Sequence, residues 1–143
     1  MKKSWRLAVS MKIFLSYRFT GEKTEELKEI IEKLCLSLKK SRHNNYCSFN
    51  SEDFYKLNKF TNKQILEHAL DELNNSDCIL AFIKSEEKSE GMLLEIGYAK
   101  AKNKKFILAI KKGIKTTFLR EIADKIIEFD NIAELTKQLE NLE

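Results

Sequence analysis

An α/β fold, with five parallel strands alternating with helices in a three-layer sandwich, is predicted by three features of the sequence. Short apolar runs recur between longer stretches in which apolar residues return every three or four positions. No proline and only four glycines occur in 143 residues, so no linker, repeat or low-complexity segment divides the chain. That length suits one hydrophobic core and is too short for two.

The elements follow in order. Residues 1–10, MKKSWRLAVS, read as a tail before a single domain spanning 11–143; their apolar stretch is too short and interrupted for a signal peptide. Lys12 to Tyr17 is a short apolar run suited to a strand buried on both faces. From Glu22 to about Arg42, Leu27, Ile30, Ile31, Leu34 and Leu38 form the apolar stripe of a helix packed on a sheet. Tyr46 to Phe49 reads as the second strand and Ser51 to Lys59 as an acidic, aromatic loop. Thr61 with Gln64 forms a capping-box pattern opening a helix that turns Ile65, Leu66, Ala69, Leu70 and Leu73 inward. Cys78 to Ile83 is the clearest buried strand; a polar loop, Lys84 to Glu90, leads to a helix over about Gly91 to Lys102. Phe106 to Ile110 gives the fourth strand, Thr116 to Ala123 a short helix, Lys125 to Phe129 the fifth strand and Asn131 to Leu142 the closing helix.

Right-handed crossovers between such units give a parallel sheet covered on both faces, with the flavodoxin-like (Rossmann-like) strand order 2-1-3-4-5. In open sheets of this kind ligands bind beyond the carboxyl ends of the strands, at the switch point between the first and third strands. The segments expected at that edge are 16–21, 49–56, 84–90 and 111–117.

Composition narrows the function. Lys2, Lys3 and Arg6 supply three of the 26 positive charges, leaving 23 against 22 acidic residues, and Lys and Glu are interspersed along most segments. A clustered basic face for a nucleic-acid polymer is therefore absent. The balance of 43% hydrophobic and 34% charged residues is that of a soluble globular protein. No apolar run approaches the roughly 20 residues that a membrane helix requires. Cys35, Cys47 and Cys78 are odd in number and widely spaced, which suggests buried thiols in a reducing cytoplasm and neither a disulfide framework nor a zinc site. His43 and His68 stand at no metal-ligand spacing, and no Walker loop, dinucleotide fingerprint, nucleophile elbow or zinc-protease motif occurs. No metal and no cofactor is implied, and carboxylate chemistry or plain binding remains.

Glu95 is the carboxylate that stands out. Its neighbours at three and four residues are Gly91, Met92, Tyr98 and Ala99, none of which can pair with it. Desolvation on such a stripe raises a carboxyl pKa, as a proton donor or nucleophile in a pocket requires. A half-buried glutamate bonded to backbone is the competing account. Ser89 can cap the helix that carries Glu95, and Gly91 lets a ligand approach the free amides at its start, where an anion is favoured. Ser16, Tyr17, Arg18, Thr20 and Gly21 make a second polar turn, with Arg18 suited to phosphate or carboxylate and Tyr17 to stacking on a base. An ordinary strand-to-helix loop would use the same residues.

The segment Ser89-Glu90-Gly91-Met92-Leu93-Leu94-Glu95-Ile96-Gly97-Tyr98-Ala99, followed by Lys104 to Leu108, resembles the nucleoside 2-deoxyribosyltransferase family, which includes 2'-deoxynucleoside 5'-phosphate N-hydrolases. The resemblance implies an N-glycosidic hydrolase or transferase acting on a nucleoside or nucleotide. It implies Glu95 at the anomeric carbon, Ser89 and Gly91 at the 5' end, and Ser16, Tyr17, Arg18, Gly21 and Tyr98 as further substrate-binding positions. A homodimer or larger oligomer is implied in the same way. Two departures stand out. Ala69 occupies the position of a family aspartate, and Phe14-Leu15-Ser16-Tyr17-Arg18 is similar to the opening of TIR domains, which leaves a TIR-like NAD hydrolase as a second reading. A non-catalytic module that binds a nucleotide or a partner is the third.

Overall fold

The computed structural model describes residues 10–18, 22–115 and 117–143, Asn50 by its backbone alone. Residues 1–9, expected to belong to a tail, lie outside this description. Five strands, β1 (Lys12–Tyr17), β2 (Asn44–Tyr46), β3 (Cys78–Ile83), β4 (Lys105–Lys111) and β5 (Lys125–Phe129), form one sheet in the order β2-β1-β3-β4-β5. Every neighbouring pair is parallel, as the alternation of strand and helix requires. The order and the flavodoxin-like class match the expectation from sequence.

Helices α1 (Thr24–Lys40), α2 (Glu52–Leu57), α3 (Asn62–Asn74), α4 (Glu90–Ala101), α5 (Leu119–Ile122) and α6 (Ile132–Leu139) connect and cover the strands. The all-apolar run of β3 is buried throughout, which its place at the centre of the sheet demands. Phe14, Phe106 and Phe129 are the largest fully buried side chains, and Phe82 stacks on Phe129 with ring centroids 5.7 Å apart. The Thr61–Gln64 capping box forms with both of its reciprocal bonds. Both histidines serve the scaffold: His43 joins the Met11 amide to the Leu142 carbonyl, and His68 bonds the Tyr55 hydroxyl.

Three local expectations are corrected. The second strand is Asn44–Tyr46, earlier than the apolar pattern suggested, and Ser48–Ser51 is a 3₁₀ turn. An edge strand tolerates polar residues, and here Asn45 Nδ2 donates to the Cys35 carbonyl at 3.2 Å, anchoring the strand to α1. The supposed loop that follows contains α2, whose first turn carries Glu52 and Asp53, the charges a helix N-terminus favours. Leu66, expected to face inward, is exposed, and the buried side of α3 narrows to Ala69 and Leu73.

Candidate active site

Parallel strands deliver their carboxyl ends to one edge, and the order in which strands are added reverses between β1 and β3. A hollow of about 210 Å³ opens there, with Ser16, Tyr17, Ser48, Ser89, Gly91 and Glu95 among its walls. Ser16 and Tyr17 end β1, in register with Ala81 and Phe82 of β3. Ser89 and Glu95 come from the start of α4.

Glu95 is half-buried, and its Oε1 accepts a 2.6 Å hydrogen bond from the Ser16 hydroxyl. No cation lies within ion-pair distance of it among the described residues. Burial pushes its carboxyl up to about 7, and the Ser16 bond offsets only part of that rise. A carboxylic acid is thus held near half-ionisation at neutral pH, where it can act in either protonation state.

At the head of α4, the Ser89 hydroxyl accepts from the Met92 amide at 3.0 Å, the N-cap expected from sequence. The Glu90 and Gly91 amides have no acceptor among the described residues. A Cβ built on Gly91 would meet nothing within 4 Å, so the approach to these amides is open.

The opposite wall is a hydroxyl pair. Tyr17 Oη lies 2.8 Å from Ser48 Oγ and accepts from the Phe49 amide at 3.1 Å, while its ring stacks on Phe49 at 5.3 Å between centroids. Burial raises the Tyr17 phenol well above its ordinary value, so it remains protonated.

Ser16, Tyr17, Ser89, Gly91 and Glu95 are therefore brought together. Arg18 is not: its guanidinium bonds Glu22 at 2.7 Å and Glu87 at 2.8 Å, Glu22 also pairs with Lys84 at 2.6 Å, and none of these four lines the hollow. Tyr98 is outside the hollow as well; its hydroxyl is 3.5 Å from Asn74 Oδ1 and Lys102 lies over its ring. Gly21 lies outside the described residues. Ser48 was missed, because the sequence pattern put it within a strand; its polarity two residues past the end of an edge strand was the available signal.

A second carboxylate does not reach the hollow from the described residues. Ala69 is in the core; Glu67 pairs with Lys63 and Glu72 with Lys12, and Asp71 is exposed. No cluster of three potential metal ligands occurs among the described residues.

A doubly wound parallel sheet with a desolvated carboxyl at its switch point, beside a serine-capped helix, defines an α/β protein with a ligand-type site at the sheet's carboxyl edge. The nucleoside 2-deoxyribosyltransferase family model matches residues 16–136, and the chain belongs to that family. Among solved structures, the CMP N-glycosidase of Clostridium botulinum is similar, at 22% identity over 90% of this chain and 96% of that one, with a TM-score of 0.67. The 2-deoxyribosyltransferase of Bacillus psychrosaccharolyticus is similar at 18% identity, 92% of each chain and a TM-score of 0.61. A conserved protein of Enterococcus faecalis follows at 15%, covering 92% of this chain and 98% of its own, with a TM-score of 0.62. At such identities the likeness speaks for the fold. No curated protein matches by sequence. Family membership assigns the reaction class, transfer or hydrolysis at the N-glycosidic bond of a nucleoside or nucleotide.

Proposed function

We propose that the chain cleaves the N-glycosidic bond of a nucleoside 5'-phosphate, with Glu95 as the group that meets the anomeric carbon. The carrying observation is the Glu95 carboxyl, half-buried, raised to about 7 and facing a hollow whose other polar walls are hydroxyls. As the bond breaks, its electron pair leaves with the base and positive charge develops at C1' and the ring oxygen. The ionised carboxylate stabilises that charge or captures C1' as a glycosyl ester. Water then attacks C1', the C1'–carboxylate bond breaks where one has formed, and the proton that water loses passes through solvent to the departed base; an incoming base in place of water gives transfer. Ser89 and the Glu90 and Gly91 amides suit the 5'-phosphate, since the amides at a helix start carry partial positive charge. Tyr17 and Ser48 would then lie along the sugar and base.

The test incubates purified protein with deoxynucleosides, ribonucleosides, their 5'-phosphates and NAD, and chromatographs for free base. Release from a 5'-phosphate, lost by about 100-fold or more in Glu95→Gln with folding intact, is the expected result. Release from NAD alone would favour the TIR-like reading. Ala69 at the family's aspartate position favours a non-catalytic binding module, for which no substrate releases base and Glu95→Gln leaves nucleotide affinity intact.

A homo-oligomer is part of this reading. The hollow of about 210 Å³ is smaller than the roughly 300–1,000 Å³ of complete ligand sites, and Leu93 and Leu94 beside Glu95 are exposed. A second copy covering these leucines would complete the pocket; sedimentation of the parent and of Leu94→Lys tests it. A reducing cytoplasm suits three cysteines without a disulfide. Among the described residues no helix is long and apolar enough to cross a membrane.

A further inference from the structure

Three features outside the hollow invite a function: the exposed Phe118 on the β4–α5 connection, the charged recess around Glu22 and Lys84, and the cluster of Tyr46, Tyr55 and His68. No feature of the structure names an occupant for the first, and the second is internally neutralised by its own ion pairs. The third satisfies its own hydrogen bonds. The hydroxyl pair in the wall of the hollow does not.

Tyr17 and Ser48 carry one hydroxyl hydrogen each. Their oxygens are 2.8 Å apart, so one of these hydrogens lies between them, and the Phe49 amide donates to Tyr17 Oη at 3.1 Å. Whichever hydroxyl donates to the other, one hydrogen is left without an acceptor among the described residues. Both residues line the hollow, where the other hydroxyl of β1, that of Ser16, is already spent on Glu95. The Tyr17 ring is buried and stacks on Phe49, which fixes the pair in place. This wall is therefore a held donor that lacks an acceptor.

Resting on the glycosidase reading, we propose that the Tyr17–Ser48 pair is a catalytic donor to the leaving base. It bonds the acceptor that lies beside the glycosidic nitrogen, O2 of a pyrimidine or N3 of a purine. With Glu95 at C1' and the head of α4 at the 5' end, the base falls to this remaining wall. As the C1'–N bond breaks, its electron pair passes to the base and the charge spreads onto that acceptor. A hydrogen bond there strengthens as the charge develops, so it lowers the barrier more than it tightens ground-state binding. The hydroxyl keeps its hydrogen, because burial raises the Tyr17 phenol, and the departed base takes its proton from solvent. The substrate class narrows accordingly to pyrimidine and purine nucleotides. A nicotinamide ring has only C–H groups beside its glycosidic nitrogen and gains nothing from the pair.

The experiment follows base release by the full-length protein from adenosine 5'-phosphate against its 3-deaza analogue, and from cytidine 5'-phosphate against its 2-thio analogue, in the ribo and deoxy series. Each analogue removes or weakens the acceptor but also alters the base as a leaving group. The diagnostic is therefore a quotient: the analogue's rate penalty in the parent over its penalty in Tyr17→Phe combined with Ser48→Ala. A quotient of about tenfold is expected, with Ser48→Thr, which keeps both hydroxyls, retaining the parent's penalty. Uncatalysed hydrolysis supplies the same reference without any variant, and the parent's penalty should exceed that one by about tenfold too. A merely structural role for the pair would slow both members of each couple alike. Release with quotients near one, or release from nicotinamide mononucleotide alone, overturns the proposal and leaves Glu95 as the reacting group. No release from any nucleotide would instead sink the glycosidase reading, and the proposal with it.

Discussion

The Ser16 hydroxyl donates to Glu95 Oε1 at 2.6 Å, joining the end of β1 to the first turns of α4 across 79 positions of sequence. It is the counterweight to burial at Glu95: desolvation raises the carboxyl toward 7, and this bond limits the rise. The strand end thereby sets the proton affinity of the helix residue.

Replacing the donor changes that setting. Ser16→Ala leaves the carboxylate desolvated without its hydrogen bond, so its pKa climbs further, by about one unit if the bond is worth the roughly 1.5–3 kcal/mol of a charge-assisted pair less some water re-entry. The acid limb of kcat/KM against pH, expected near 7 in the parent, should move to higher pH by that amount. An unmoved limb would mean that Glu95 is not the titrating group.

Stability carries the opposite signature. The folded-state value of about 7 lies above the unfolded 4.5, so between them the native state binds the extra proton. Stability is then full below about 4.5, falls as pH rises to about 7 and is level above, a loss of at most about 3 kcal/mol. Glu95→Gln has no proton to lose, so its melting temperature should exceed the parent's at pH 8 and approach it at pH 5. Thermal melts at the two pH values check this.

Ser89→Ala removes the acceptor of the Met92 amide. A lost N-cap costs about 1 kcal/mol, read as a lower urea midpoint with an unchanged slope. If the same residue holds the 5' end, KM for a nucleotide should rise more than kcat falls, and the corresponding nucleoside should be affected less.

Tyr17 and Arg18 are adjacent in sequence and should separate in function. Tyr17→Phe strips the Phe49 amide of its acceptor and Ser48 of its partner at the hollow's wall. Arg18→Ala removes ion pairs to Glu22 and Glu87, away from it. Base release should fall by about tenfold or more in the first and stay within about threefold in the second, because small displacements at a reacting centre cost far more than distant charge pairs. Parallel losses would return Arg18 to the site.

Much of this architecture was legible in order along the chain. β1, β3 and β5 matched the runs read from the sequence to the residue, β3 most plainly, because a strand covered on both faces must be apolar throughout. β2 escaped because Asn44 and Asn45, at a sheet edge, need no such pattern. Glu95 was visible in a different way: an acidic residue with no basic neighbour one turn away on its own helix.

The sequence by itself determined the alternation of strands and helices, the parallel sheet that follows from it, and the isolation of Glu95 from charge partners. Those are local properties, set by spacings of two to four residues along the chain. Tertiary structure alone decided that Ser16 bonds that carboxyl and Ser48 shares its hollow, that Arg18 turns instead to Glu22 and Glu87, and that Ala69 is in the core. Which groups share a desolvated space depends on how the sheet edge gathers distant loops, and the desolvation that shifts Glu95 exists only once they are gathered.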